Sequence, residues 1–189
     1  MSGDRKKVLR SWKLYDWANS AFATTIMAAV LPEFYSSVAG STLDRTVATS
    51  YWGYSNTIAM LIIAITAPML GAIGDHSAAK KRFLGAFAAL GIIATALLVG
   101  VGNGMWFYAS VLYIVGRVGF AGANVFYDSL LPHVAGREEI DRVSAEGYAY
   151  GYLGGGMLLA LNLLMIMKPW FFGIPDAEWG SRISFLTVA

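Results

Sequence analysis

The sequence predicts an all-α membrane protein with five complete transmembrane helices and the start of a sixth. Three observations carry this. Of the 189 residues, 57% are hydrophobic and only 14% are charged, against about 25% charged in an ordinary soluble domain. The apolar residues come in long runs, and segments 46–74, 83–116 and 147–167 hold no formal charge. Each of these is at least as long as the roughly 20 residues a helix needs to cross the hydrocarbon core. Lys and Arg collect in alternate connecting segments, the pattern that fixes membrane orientation.

The elements follow in chain order. A basic arm over 1–14 is expected to be cytoplasmic, either mobile or lying on the surface. The first span is placed at 17–38 and the second at 50–74. The second uncharged run is divided by Gly102-Asn103-Gly104, residues that form turns, giving a third span at 83–101 and a fourth at 105–127. The fifth runs over 144–167. Lys168-Pro169-Trp170-Phe171-Phe172 then puts a cation and aromatics at the outer interface. A sixth apolar run opens near 181 and reaches Ala189 with no turn or charge to close it. The sequence is therefore expected to be a fragment of a longer membrane protein.

Orientation follows from the cations. Arg5, Lys6, Lys7, Arg10 and Lys13 precede the first span, Lys80, Lys81 and Arg82 follow the second, and Arg137 and Arg142 follow the fourth. The other side has only Arg45, Lys168 and Arg182. Ten against three places the N-terminus in the cytoplasm. The expected location is a bacterial plasma membrane, crossed several times.

Several chemistries lose support. The chain has no cysteine and only two histidines, so no metal site is expected. There is no Walker-type phosphate loop, no nucleophile constellation and no basic stripe interleaved with aromatics for nucleic acid. Neither an enzymatic activity nor a cofactor is expected.

The informative residues are the polar ones inside apolar spans, where a charge costs at least about 2.5–3.5 kcal/mol on insertion scales. Arg117 is central in the fourth span, either as a structural ion-pair member or as a coupling cation facing a cavity. Asp16 and Glu33 are its candidate partners. Asp16, Asn19 and Ser20 recur at helical spacing and are expected to share one face. Asp16 reads either as a helix-end carboxylate or as a cavity group, whereas Asn19 lies deeper. Glu33 reads as interfacial, and Asp128 as a helix-end or loop-fixing group more than as a ligand. Asn124 and Asn162 are candidate inter-helix hydrogen-bonding groups. Gly147, Gly151 and Gly155, four residues apart, make a packing groove that could also act as a hinge, flanked by Tyr148 and Tyr152.

Two sets of residues carry a family resemblance. Gly71-Ala72-Ile73-Gly74-Asp75-His76-Ser77-Ala78-Ala79-Lys80-Lys81-Arg82 resembles the loop signature between helices two and three of the major facilitator superfamily. Ala78 stands where that signature usually has glycine, and Ala79 where it has a basic residue. Tyr15-Asp16-Trp17-Ala18-Asn19-Ser20-Ala21-Phe22, Phe126-Tyr127-Asp128-Ser129-Leu130-Leu131-Pro132 and residues 144–156 resemble its vacuole-effluxer-like permeases, relatives of autophagy-linked vacuolar amino-acid exporters. Arg117 is similar to the superfamily's fourth-helix arginine, and Gly151-Tyr152-Leu153-Gly154-Gly155-Gly156 to its antiporter signature, with Tyr152 in place of proline.

The resemblance implies an N-terminal six-helix bundle and secondary transport of a small solute by alternating access, with amino acids or metabolites as the substrate class. It implies Gly71, Gly74, Asp75, Lys80, Lys81 and Arg82 as a cytoplasmic gate. Asp16, Asn19, Arg117, Asn124, Tyr148 and Tyr152 are the candidate substrate or coupling residues. The expected partners are the lipid bilayer, a small-molecule substrate, a coupling proton and the remaining C-terminal half. A channel and a non-transporting membrane scaffold remain as alternatives.

Overall fold

A computed structural model describes residues 3–76 and 79–189, with the backbone alone described for Gly3, Asp75 and His76. The described residues form helices and turns without a strand. Five of the helices are long and apolar enough to cross a membrane.

The first rod begins far earlier than the sequence suggested. Helix α1 (Gly3–Ala21) leads into a wider π-helical segment (Phe22–Ala29), the short α2 (Val30–Phe34) and a second π segment (Tyr35–Ala39). The arm expected at 1–14 is thus helical from Gly3 on and continuous with the first span. Its apolar side chains explain the continuation, since Leu9 and Trp12 are buried against Tyr127, Ala135 and Val143. The π segments flank Pro32, which has no N–H to donate and crowds the carbonyl four residues back. On the N-terminal side the chain accommodates this with a longer bond, the Val30 N–H donating to the Thr25 carbonyl; the second π segment closes with the Gly40 N–H on the Tyr35 carbonyl at 2.7 Å.

Helix α3 (Arg45–His76) carries Pro68 within it, and α4 (Lys80–Leu97) ends in a 3-10 turn. The next turn reaches α5 through Gly104 at φ 77°. A Cβ there would lie 2.9 Å from Thr42 Cγ2, so both backbone angle and space call for glycine. Helix α5 (Trp106–Val134) and α6 (Ile140–Met167) follow. Lys168 Nζ lies 5.0 Å from the Trp170 ring centre beyond α6. Helix α7 (Ala177–Val188) is capped by Asp176, whose side chain accepts from the Trp179 N–H at 2.9 Å.

The tightest helix pairs are α4 with α5, α1 with α6, and α3 with α5. One apolar core joins Phe22, Ile26, Phe34 and Tyr35 of the first rod to Leu98, Tyr113 and Phe185. The outer faces are also apolar: Ile65 and Met69 of α3 and Ile93 of α4 point away from the protein, between 58% and 69% exposed. Helices hydrophobic all round belong in lipid, and the chain is a multi-pass membrane protein.

Candidate functional site

The polar side chains gather along one stripe of α5. Tyr113, Arg117, Phe120, Asn124 and Tyr127 follow each other at steps of four and three, which keeps them on one side of a helix. Helix α1 opposes part of that stripe in antiparallel order. Trp12 and Tyr15 stack on Tyr127 with ring centres 4.4 and 4.9 Å apart. Asn19 Nδ2 donates to Asn124 Oδ1 at 2.7 Å, and Phe22 stacks on Phe120 at 5.1 Å. The seam is thus one polar pair between aromatic layers. The side-chain oxygens of Tyr15 and Tyr127 are buried in it with no hydrogen-bond partner among the described residues. Beside Asn19 lies a cavity of about 130 Å³, lined also by Tyr15, Phe22, Gly91, Thr95 and Phe120.

At its other end the α5 stripe meets α3. Asn56 Oδ1 accepts from Tyr113 Oη at 2.6 Å and also from Arg117 Nη1. Arg117 Nη1 donates to the Tyr113 oxygen at 2.5 Å. The Asn56 amide is oriented by its own helix, since Nδ2 donates to the Trp52 carbonyl at 3.2 Å. That leaves its oxygen for the guanidinium. Tyr113 is fully buried, with its ring 4.4 Å from Trp52.

Arg117 therefore has neutral partners. Asp16 and Glu33 are not among them, and no ion pair to Arg117 occurs among the described residues. Asn56 and Tyr113 escaped the sequence reading. Their signals were an amide inside the uncharged run 46–74 and a phenol one turn before the arginine.

The face expected to unite Asp16, Asn19 and Ser20 divides in the structure. Ser20 Oγ donates to Asp16 Oδ1 at 3.4 Å, and both lie against α6, where a Cβ on Gly151 would come within 2.5 Å of Ser20 Oγ and 2.9 Å of Asp16 Oδ2. Asn19 faces α5 instead. Helix α1 is wedged between α5 and α6, and neighbours such as Asn19 and Ser20 are 100° apart around it.

The glycines of α6 form the groove that receives α1. A Cβ on Gly147 would lie 2.5 Å from Trp12, and one on Gly155 would lie 3.0 Å from the Ser20 carbonyl. Gly154, outside the four-residue series, is tighter still, at 2.4 Å from the Trp17 carbonyl. Thr24 Oγ1 also donates to the Gly155 carbonyl at 3.1 Å. Tyr148 and Tyr152 point away from the groove, 62% and 80% exposed, and are not brought together with Asn19, Asn124 or Arg117. Asn162 is buried, donating to Thr25 Oγ1 at 3.4 Å and accepting from Thr187 Oγ1 at 2.9 Å, which ties α6 to the first rod and α7.

Of the expected gate, Lys80 Nζ donates to the Ser129 carbonyl at 3.2 Å. Gly74 faces Phe126 and Ser129, whereas Gly71 borders open space. Lys81 and Arg82 are exposed. The Asp75 side chain, Ser77 and Ala78 lie outside the described residues.

The family described as vacuole effluxer Atg22 like matches residues 4–140. A protein of Bacillus subtilis (strain 168), named as the uncharacterized MFS-type transporter YxiO, is 37% identical over 181 residues, covering 95% of this chain and 42% of its own length. Autophagy-related protein 22-1 of Phaeosphaeria nodorum is 31% identical over 91 residues, 48% of this chain and 16% of its own. Autophagy-related protein 22 of Coccidioides immitis is 31% identical over 83 residues, 44% of this chain and 14% of its own. This chain thus spans less than half the length of each of these relatives. No solved structure matches it.

Proposed function

The chain belongs to the vacuole effluxer Atg22-like family of major facilitator superfamily permeases, and from that we propose that it takes part in secondary active transport of a small solute by alternating access. The substrate class proposed is amino acids or similar metabolites. The observation that carries the reading is Arg117, a cation within a spanning helix whose bonds go to the neutral Asn56 and Tyr113. Neutral partners orient a guanidinium but leave its charge in place. A charge at that depth persists where it faces a cavity, a pathway or a counter-charge. An arriving carboxylate, or an acidic group elsewhere that gains and loses a proton, would complete the site.

In this mechanism two helical bundles rock about a site near the membrane midplane. This chain supplies one bundle, and sequence beyond it supplies the other. The α1–α5 seam, with Asn19 and Asn124, supports the wall behind the site. Gly71, Gly74, Asp75, Lys80, Lys81 and Arg82 form the cytoplasmic gate, of which the Lys80–Ser129 bond is one contact. The N-terminus is cytoplasmic. The Bacillus relative, which covers most of the chain, supports a bacterial plasma membrane.

The test is counterflow of a panel of radiolabelled amino acids in liposomes holding the full-length protein. Wild type is expected to exchange at least one of them. Arg117→Ala is expected to abolish that exchange while inserting normally. Undiminished exchange by Arg117→Ala would remove the arginine from the mechanism. Fast conductance without counterflow would replace the transporter with a channel.

A further inference from the structure

We propose that the cavity between the N-terminal parts of α1 and α6 binds the headgroup of an anionic phospholipid. The inference needs only that these helices sit in a membrane, and is independent of any transported solute. The cavity measures about 420 Å³ and is lined by Lys6, Arg10, Lys13, Arg142, Glu146 and Tyr150, the rest of its wall being aliphatic. Lys6, Arg10 and Lys13 follow at steps of four and three, so α1 turns one basic stripe into the opening.

The charges do not cancel. Four cations face one lining carboxylate. Lys13 is paired with Glu146, and Arg142 Nη2 lies 3.0 Å from Glu139 Oε1, outside the cavity. Glu139 also holds Arg5 at 2.5 Å. Lys6 and Arg10 are exposed and have no hydrogen-bond or ion-pair partner among the described residues. They are left to receive an anion from outside the protein.

What lies below the cations selects a lipid over a free anion. One turn further along both helices, Trp17 and Tyr150 meet edge to face, with ring centres 6.4 Å apart. Four residues of helix put them about 6 Å deeper than Lys13 and Glu146. Aromatic side chains of this kind settle at the headgroup level of a bilayer. The site is therefore layered, with cations at phosphate height and aromatic and aliphatic surface where the glycerol and upper chains would run. A soluble phosphate would use only the upper layer.

The experiment is native mass spectrometry of the purified full-length protein in neutral detergent, titrated with phosphatidylglycerol or phosphatidylcholine of identical acyl chains. Phosphatidylglycerol is expected to be retained well above phosphatidylcholine. The double variant Lys6→Gln/Arg10→Gln is expected to bind it about 30-fold more weakly, from the usual contribution of a basic side chain at an anionic surface. Both positions are exposed, and an unchanged lipid-free melting temperature confirms that the variant is folded. Lys7→Gln is the matched control, since Lys7 is exposed and does not line the cavity. It should bind within about twofold of wild type. Equal retention of the two lipids would overturn the proposal. So would a loss in Lys7→Gln equal to the per-residue share of the loss in the double variant, which would mean a diffuse basic surface. Displacement of the lipid by millimolar inorganic phosphate would make this a free-anion site instead.

Discussion

Asn56 shows how much one amide can do inside a membrane. Its oxygen accepts from both Tyr113 and Arg117, and its nitrogen is spent on the Trp52 carbonyl. Asn56→Leu keeps the bulk and removes the acceptor. The phenol and guanidinium then lose their shared partner, at a cost of about 1–3 kcal/mol. The expected result is a lower unfolding midpoint in detergent for Asn56→Leu and a near-normal one for Asn56→Gln, provided the longer side chain reaches the same atoms. At this scale the sequence was legible only in part. Arg117, Asn19 and Asn124 stood out as polar atoms in apolar runs. How they pair did not, because Asn19 to Asn124 and Asn56 to Arg117 are joined by the packing of separate helices. Helical spacing alone gave Asp16 and Asn19 one face. The structure sends them to α6 and α5, because a helix wedged between two neighbours has no single inside.

The elements add two predictions. The rod starting at Gly3 is anchored by Trp12, which is 7% exposed, stacks on Tyr127 and donates from Nε1 to the Tyr127 carbonyl at 3.3 Å. Trp12→Ala is expected to cost about 3–5 kcal/mol, in line with other buried aromatic truncations, read as a lower thermal midpoint. Hydrogen exchange should find the amides around Leu9 and Trp12 protected, as a free arm would not be. A basic count hid this, since the cations of α1 read as an arm while Leu9 and Trp12 face inward between them. The second prediction concerns α6. A Cβ on Gly154 would collide with the Trp17 backbone at 2.4 Å, and one on Gly156 meets nothing within 4 Å. Gly154→Ala should destabilise by about 1–3 kcal/mol as α1 and α6 are forced apart. Gly156→Ala should be neutral or slightly stabilising, because alanine is the better helix former. A thermal scan of the two variants in one detergent separates them. The glycine groove was readable from its four-residue spacing. Its tightest member was not, because Gly154 depends on how deeply α1 sinks.

For the whole molecule, the long uncharged runs dictated the architecture, since hydrocarbon demands helices whose backbone groups are satisfied internally. That constraint made the five long helices legible. The connections were legible where glycine had to adopt a left-handed turn, as at Gly104. Which polar groups face one another depends on helix rotation, and apolar runs lacking a polar face say little about rotation. In the proposed mechanism the Asn56–Arg117 joint borders a water-accessible passage, while apolar faces such as that of Ile93 meet lipid. This chain contributes no cysteine, so a thiol introduced into it is its single one. The direct measurement is labelling of Asn56→Cys and Ile93→Cys in sealed vesicles with a membrane-impermeant methanethiosulfonate, at matched insertion. The Asn56→Cys protein is expected to be modified and the Ile93→Cys protein to stay unmodified. An unreactive thiol at position 56, or equal labelling at both positions, would contradict it.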